Sequence, residues 1–334
     1  MNTRRHFFAT ALGSSAALAL RAEEAGRPFH FPKCQIVPQA DHSVHFEVAG
    51  RETTRWHFAT DYPRPCFFPL NGPSGIALTR MGHPGAPNHD HHQSVWFAHN
   101  DVNGCTFWAN KPDGGRIRQK DWLCYEDSDE HAIMAVSLGW YDGKTQREVL
   151  DHTLIAIQRP GDDGEHTLEL QSTFKAVNEP VQLGKTNFGL LAVRVAKSLS
   201  VHFGGGKLTD SEGRVGEPDI FGKQAAWMDY SGPVKDGVTE GITFFDHPAN
   251  PRHPTHWHVR SDGWMGASFC LNEAHTITPE APLRLRYLLH AHRGHVDAAR
   301  AAKLLAEFAK WPLREVVKGT KPHHQFETRI AAEG

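Results

Sequence analysis

The stretch whose reading decides the fold is Thr167-Leu168-Glu169-Leu170-Gln171-Ser172. Apolar and polar side chains alternate at every step, which on a strand sends the leucines to one face and hydrogen-bonding groups to the other. Working outward, Ser43-Val44-His45-Phe46-Glu47-Val48 repeats the pattern near the N-terminus. Leu283-Arg284-Leu285-Arg286-Tyr287 repeats it late in the chain, with arginines on the polar side. The same reading predicts strands at 52–58, 94–98, 132–140, 148–157, 190–195 and 242–246. Turn clusters lie between them, among them Gly161-Asp162-Asp163-Gly164, Gly204-Gly205-Gly206 and Asp142-Gly143. One helix is expected, over 298–309, with Asp297 as its cap and Trp311-Pro312 as its stop. Many short strands with a single late helix predict a mainly β protein, a large antiparallel β-sandwich with one C-terminal helix.

No Pro/Gly/Ser linker, charge block or repeat divides the chain, so one sandwich domain is expected over 27–318, with 319–334 as a loose tail. The opening Met1-Asn2-Thr3-Arg4-Arg5-His6-Phe7-Phe8, followed by an Ala/Gly/Ser-rich run to Leu20, reads as a twin-arginine signal peptide over 1–22. That reading predicts a periplasmic or secreted protein. The run is too short to span a bilayer and Arg21 ends it, so no membrane span is expected. Loss of residues 1–22 would remove three arginines and no acid, moving the net charge from −2 to −5. A mildly acidic chain has no electrostatic footprint for nucleic acid. The five cysteines (Cys34, Cys66, Cys105, Cys124, Cys270) are scattered and contain no C-x-x-C, which fits buried thiols better than a disulfide framework or a zinc-thiolate site.

Histidine is the compositional outlier, with 24 in 334 residues. They cluster as His89-Asp90-His91-His92 with His99, as His253, His256 and His258, and as His290, His292 and His295. Residues two apart on a strand share a face, so such pairs can meet one ligand or one ion. Imidazole is also the side chain best matched to proton transfer near neutrality. No H-E-x-x-H spacing is present, so a divalent metal is an open alternative rather than a reading. The most informative stretch runs from Arg64 to Trp108, where Arg80, His92, Asp101 and Asn103 stand among aromatics and fixed by glycine and proline. Flat rings beside hydrogen-bonding groups suit a sugar, which presents C–H faces and a rim of hydroxyls.

This stretch resembles the bacterial PmoA-like family, a domain of unknown function (DUF6807). The likeness rests on Arg64-Pro65 through Gly72-Pro73-Ser74-Gly75 and on His91-His92-Gln93-Ser94-Val95-Trp96-Phe97-Ala98-His99-Asn100-Asp101-Val102-Asn103-Gly104. It continues at Gly184-Lys185-Thr186, Phe188-Gly189, Val193-Arg194-Val195, Trp227-Met228-Asp229-Tyr230 and Trp257-His258-Val259-Arg260. Gln93 stands where the family pattern has arginine. The family label points to a methane oxygenase subunit, a membrane protein, and no spanning segment supports that chemistry. A fold-level likeness to the galactose-mutarotase-like supersandwich rests on Thr278-Pro279-Glu280 before the 283–292 strand.

Together these imply an exported carbohydrate-active enzyme of epimerase, lyase or hydrolase type with a small-molecule or oligosaccharide ligand. Hydrolysis ranks lower, because Asp101 shows no second carboxylate partner in the sequence. Proton transfer is expected from His92 or His99, oriented by Asp101, with Lys185 as a base or electrophile. Arg80, His91 and Asn103 would hold substrate oxygens, Trp96 or Trp108 would stack, and Arg194 and Arg260 would face the pocket or pair with Asp246 or Asp229. A non-catalytic sugar-binding module and a His-ligated metal enzyme are the competing classes.

Overall fold

The computed structural model describes residues 30–83, 86 and 89–332, so the twin-arginine segment lies outside the described residues. In chain order the first strands are β1 (Cys34–Gln39), β2 (Ser43–Val48), β3 (Arg51–His57), β4 (Cys66–Leu70) and β5 (Val95–His99). Then come β6 (Arg116–Asp127), β7 (Ala132–Tyr141), β8 (Glu148–Pro160), β9 (His166–Ala176) and β10 (Val181–Leu183). The second half adds β11 (Gly189–Arg194), β12 (Lys207–Asp210), β13 (Trp227–Lys235), β14 (Val238–Asp246) and β15 (Trp257–Arg260). The last are β16 (Trp264–Ala267), β17 (His275–Ile277), β18 (Leu283–Arg293), β19 (Arg314–Lys318) and β20 (Phe326–Ile330).

Two eight-stranded antiparallel sheets carry the fold, in the orders β1-β2-β3-β4-β5-β11-β16-β15 and β12-β13-β14-β18-β9-β8-β7-β6. The expected alternation decides which faces meet. Leu168, Leu170 and Phe174 of β9 and Leu285, Tyr287 and Leu289 of β18 join one apolar core with Val95 and Phe97 of β5 and Leu191 and Val193 of β11. Phe97 meets Phe174 edge-on at 6.1 Å, which closes the sandwich at its centre. The described residues from Lys33 onward form one compact unit. The five cysteines are free thiols, with Cys34, Cys66 and Cys270 buried.

The helix forms over Ala298–Phe308, and the Asp297 carboxylate accepts the Arg300 backbone N–H at 2.9 Å. Its Ala301 and Phe308 cover Trp227, Phe245 and Leu288 on the outer face of the second sheet. A four-residue helical turn, Glu217–Ile220, precedes β13. After Lys318 the structure departs from the loose tail expected there. Phe326–Ile330 pairs with Arg314–Lys318 along its whole length, and Thr328 bonds Glu126 of β6 at 2.8 Å. Among the described residues no helix is long and apolar enough to cross a membrane.

Candidate functional site

The core-facing pattern of the first sheet fixes what its outer face carries. Because Val95 and Phe97 point inward, Trp96 and Ala98 of β5 point outward. Ala192 and Arg194 of β11, Trp264 and Gly266 of β16, and His258 and Arg260 of β15 share that face by the same alternation. The small residues Ala98, Ala192 and Gly266 leave room in its middle. A Cβ at Gly266 would come within 2.9 Å of the Trp264 ring, so that indole lies across the glycine. The result is a hollow of about 680 Å³.

Its floor is aromatic. Trp108 packs on Trp96 at 5.4 Å, on Trp264 at 5.6 Å and on Phe188 at 5.4 Å. Trp108 and Trp264 are almost wholly covered, whereas Phe188 is half-buried and Phe203, at the rim, is 40% exposed. Ring faces for a ligand therefore come from the phenylalanines, with the tryptophans beneath. His92 lies on Trp96 (5.5 Å, 27° between planes), and His91 meets His92 edge to face at 4.3 Å.

The rim is charged and held in place. Arg194, fully buried, donates to both carboxylate oxygens of Asp262 at 3.1 and 3.3 Å, and Arg80 donates to the Asp262 and Val195 carbonyls. Burial alone would raise the Asp262 carboxyl, but Arg194, His83 and Arg80 hold it below the usual range. Glu217 accepts from Arg260 at 2.7 Å and from the Ser261 backbone at 2.6 Å, and these bonds outweigh burial to lower its carboxyl too. Burial, with His91 and Arg194 nearby, drives His92 far below the ordinary imidazole value. Burial likewise takes His258, whose Nδ1 donates to the Asn187 carbonyl, down to about 4. Both rings are neutral at physiological pH. Nδ1 of His92, Nε2 of His258 and the indole nitrogens of Trp96 and Trp108 are buried and meet no hydrogen-bond partner. Such orphaned groups cost free energy, as do others elsewhere in the molecule.

Arg64 locks the two chain segments that bear these rings. Its guanidinium donates to the His91 carbonyl, the Gln93 side chain, the Trp108 carbonyl and the Asn110 side chain at 2.9–3.2 Å. Gln93 thus faces a buried arginine, and a neutral acceptor suits that position.

The structure brings His91, His92, Trp108 and Arg260 to the hollow, with Trp96, Arg80 and Arg194 directly behind. Arg194 and Arg260 pair with Asp262 and Glu217 rather than with Asp246 or Asp229. The remaining expected residues are elsewhere. His99 shares the inward side of β5 with Phe97, and its Nε2 donates to the Gly184 carbonyl at 3.0 Å. Asp101 accepts the Gly104 N–H, and Asn103, at φ 50°, accepts the Gln182 N–H, so Asp101-Val102-Asn103-Gly104 is a tight turn. Lys185 is exposed. Glu217, Asp262, Trp264 and Phe203 escaped the sequence reading, and Phe188 entered it only through the Phe188-Gly189 block of the family resemblance, with no site role. For Asp262 the signal was the Trp257-His258-Val259-Arg260 block, which the β15–β16 turn extends to it.

The histidine runs do not converge on a metal. Among the described residues no group of three or more His, Cys, Asp or Glu side chains is placed to hold an ion. His290 and His292 share a face at 5.4 Å, but each bonds its own carboxylate, Glu165 at 3.0 Å and Asp229 at 2.8 Å.

Among solved structures, the heparan sulfate lyase HepC of Pedobacter heparinus aligns over 86% of this chain and 36% of its own, with 8% identity and TM-score 0.33. The chain therefore spans about a third of that lyase. A candidate mutarotase (YeaD) of Salmonella typhimurium aligns over 83% of this chain and all of its own, with 12% identity and TM-score 0.31. The GalM/aldose epimerase homologue of C. elegans aligns over 79% of this chain and all of its own, with 8% identity and TM-score 0.34. No curated protein matches the sequence. A family model does match, over residues 43–306, and its description carries no activity, so the methane oxygenase label gains no support. The chain belongs to this family of unknown function, DUF6807.

Proposed function

We propose that the protein is an exported carbohydrate-active enzyme that binds a sugar in the hollow above Trp108 and Trp264 and transfers a proton there. The observation that carries this reading is the combination in one 680 Å³ space of phenylalanine faces and a rim of Arg260, Glu217 and Asp262. Apolar C–H faces of a sugar ring match the former, and its hydroxyls match paired donors and acceptors of the latter. The twin-arginine segment supports the export part of the reading.

His91 is the proton carrier in this scheme. His92 is a poor base, because an imidazole whose conjugate acid is so strong has little affinity for a proton at neutral pH. It serves instead as a neutral hydrogen-bonding neighbour. Hydrolysis ranks below epimerisation or elimination. Glycoside hydrolysis needs one carboxyl kept protonated as the acid, and both Glu217 and Asp262 are held in the ionised form.

The test is titration of the mature protein with a panel of sugars, read by tryptophan fluorescence, followed by NMR in D2O for exchange or epimerisation. Phe203→Ala, at an exposed position, should weaken binding up to about tenfold, in line with the loss of a ring contact of about 0.5–1.5 kcal/mol. His91→Asn should abolish turnover with little change in binding. A sugar bound without any reaction would make the protein a binding module. No response to any sugar would sink the proposal.

A further inference from the structure

A second cavity of about 330 Å³ adjoins the hollow, and Asn100 lines both. The Asn100 backbone N–H donates to the carbonyl of Phe188, on the hollow side. Its side-chain oxygen accepts from Thr106, on the cavity side, at 2.9 Å. One loop, residues 106–113, lines both spaces. Trp108 and Ala109 face the hollow, while Thr106, Lys111 and Asp113 face the cavity. That loop is fixed from within. The Thr106 hydroxyl accepts the Trp108 and Ala109 N–H groups at 3.3 Å, and Arg64 holds Trp108 and Asn110 from below.

The chemistry changes across Asn100. The hollow is aromatic, whereas the cavity presents Asn103, Thr106, Lys111, Asp142 and Lys144 and no aromatic ring. One Asp142 oxygen is already taken by the Lys144 and Thr145 N–H groups and the Thr145 hydroxyl. Lys111 and Lys144 make no ion pair with a described residue. They are donors left available at the end of a polar trough that begins where the stacking surface stops.

We propose that the substrate is an oligosaccharide of at least two units, one ring seated in the aromatic hollow and the next held across Asn100 by the polar cavity. This rests on the sugar reading of the hollow. A free monosaccharide would fill the hollow and leave the cavity wet, whereas a linked second unit presents further hydroxyls to Lys111, Lys144 and the Asn100 amide nitrogen.

The experiment is calorimetric titration of the mature full chain with matched pairs: glucose and cellobiose, galactose and lactose, mannose and mannobiose, xylose and xylobiose. A charge-assisted hydrogen bond contributes roughly a factor of ten. At least one disaccharide should therefore bind about tenfold more tightly than its monosaccharide. The exposed double variant Lys111→Ala/Lys144→Ala should remove that gain and leave the monosaccharide affinity unchanged. Monosaccharide binding with no gain for any disaccharide would overturn this inference and leave the sugar reading standing. A gain insensitive to the double variant would overturn the cavity as its source. No binding by any of the eight sugars would overturn the sugar reading and this inference with it.

Discussion

Arg64 is fully buried, and its hydrogen-bond partners are four uncharged oxygens, so burial pushes its guanidinium down to about 9. The planar fork suits that task, since one rigid group reaches two separate segments at once. Lysine cannot, and Arg64→Lys would leave buried oxygens of Trp108 or His91 unpaired. The expected cost is about 2–4 kcal/mol in urea denaturation, with a shift in tryptophan emission as the floor loosens. A loss under about 0.5 kcal/mol would show that the fork does not hold the floor. None of this was legible in the linear pattern. Arg64 stood in a stretch already marked as dense, but its partners lie 27, 29, 44 and 46 residues away. His91, His92, Trp96 and Trp108 could be read because they lie close together in sequence. Asp262 and Glu217 could not, because only the pairing of β5, β11, β16 and β15 brings them to the same face.

At the level of elements, alternation found most of the inner strands, though not β4, β13 or β16, and failed at the edges. β2 spans the same residues as the expected strand, and β7, β8, β9 and β18 contain the ones expected for them. β6 was missed for a physical reason. It is an edge strand, largely solvated, and its register shifts between Gln119 and Asp121 and again between Trp122 and Cys124, so the period of two is broken twice. β13 hides behind Pro233, which sits at another irregularity. The helix was legible because capping chemistry is local. Asp297→Ala should cost about 1 kcal/mol and Asp297→Asn only a few tenths, because asparagine still offers an oxygen to the Arg300 N–H. Thermal or chemical denaturation of the two variants separates them. Equal losses would mean that the carboxylate acts through its charge and not as a cap.

Across the whole molecule, the histidine excess has a use that the site alone does not absorb. His99, His166, His247 and His258 are buried and pushed down to about 4, and His152 to about 3, in each case chiefly by desolvation. Desolvation keeps them neutral, and for three of them it outweighs a hydrogen bond that by itself favours the charged ring. His99, His166 and His258 each give one N–H to a carbonyl, and the other nitrogen is buried without a partner. His247 Nδ1 accepts the Ala249 N–H, so a proton there would break that bond. In the unfolded chain these rings titrate near 6.5. Between that value and about 4 the unfolded state therefore binds protons that the folded state refuses, and stability must fall as pH falls through this window. Each such histidine contributes a slope of about 1.4 kcal/mol per pH unit. His292 has the opposite sign, since Asp229 holds its pKa above the ordinary value and its contribution is lost as pH rises. Glu165 and Asp262, held low, lose theirs as pH falls through the ordinary carboxylate range and below it. The neutral rings outnumber His292, and a typical folded margin of roughly 5–15 kcal/mol would be used up within a few units. Urea titrations at pH 7.5, 6.5, 5.5 and 4.5 should show a steep decline that begins near 6.5. A flat profile down to pH 4.5 would mean that water or a bound group reaches these rings in solution, and the packing described around them would have to be revised.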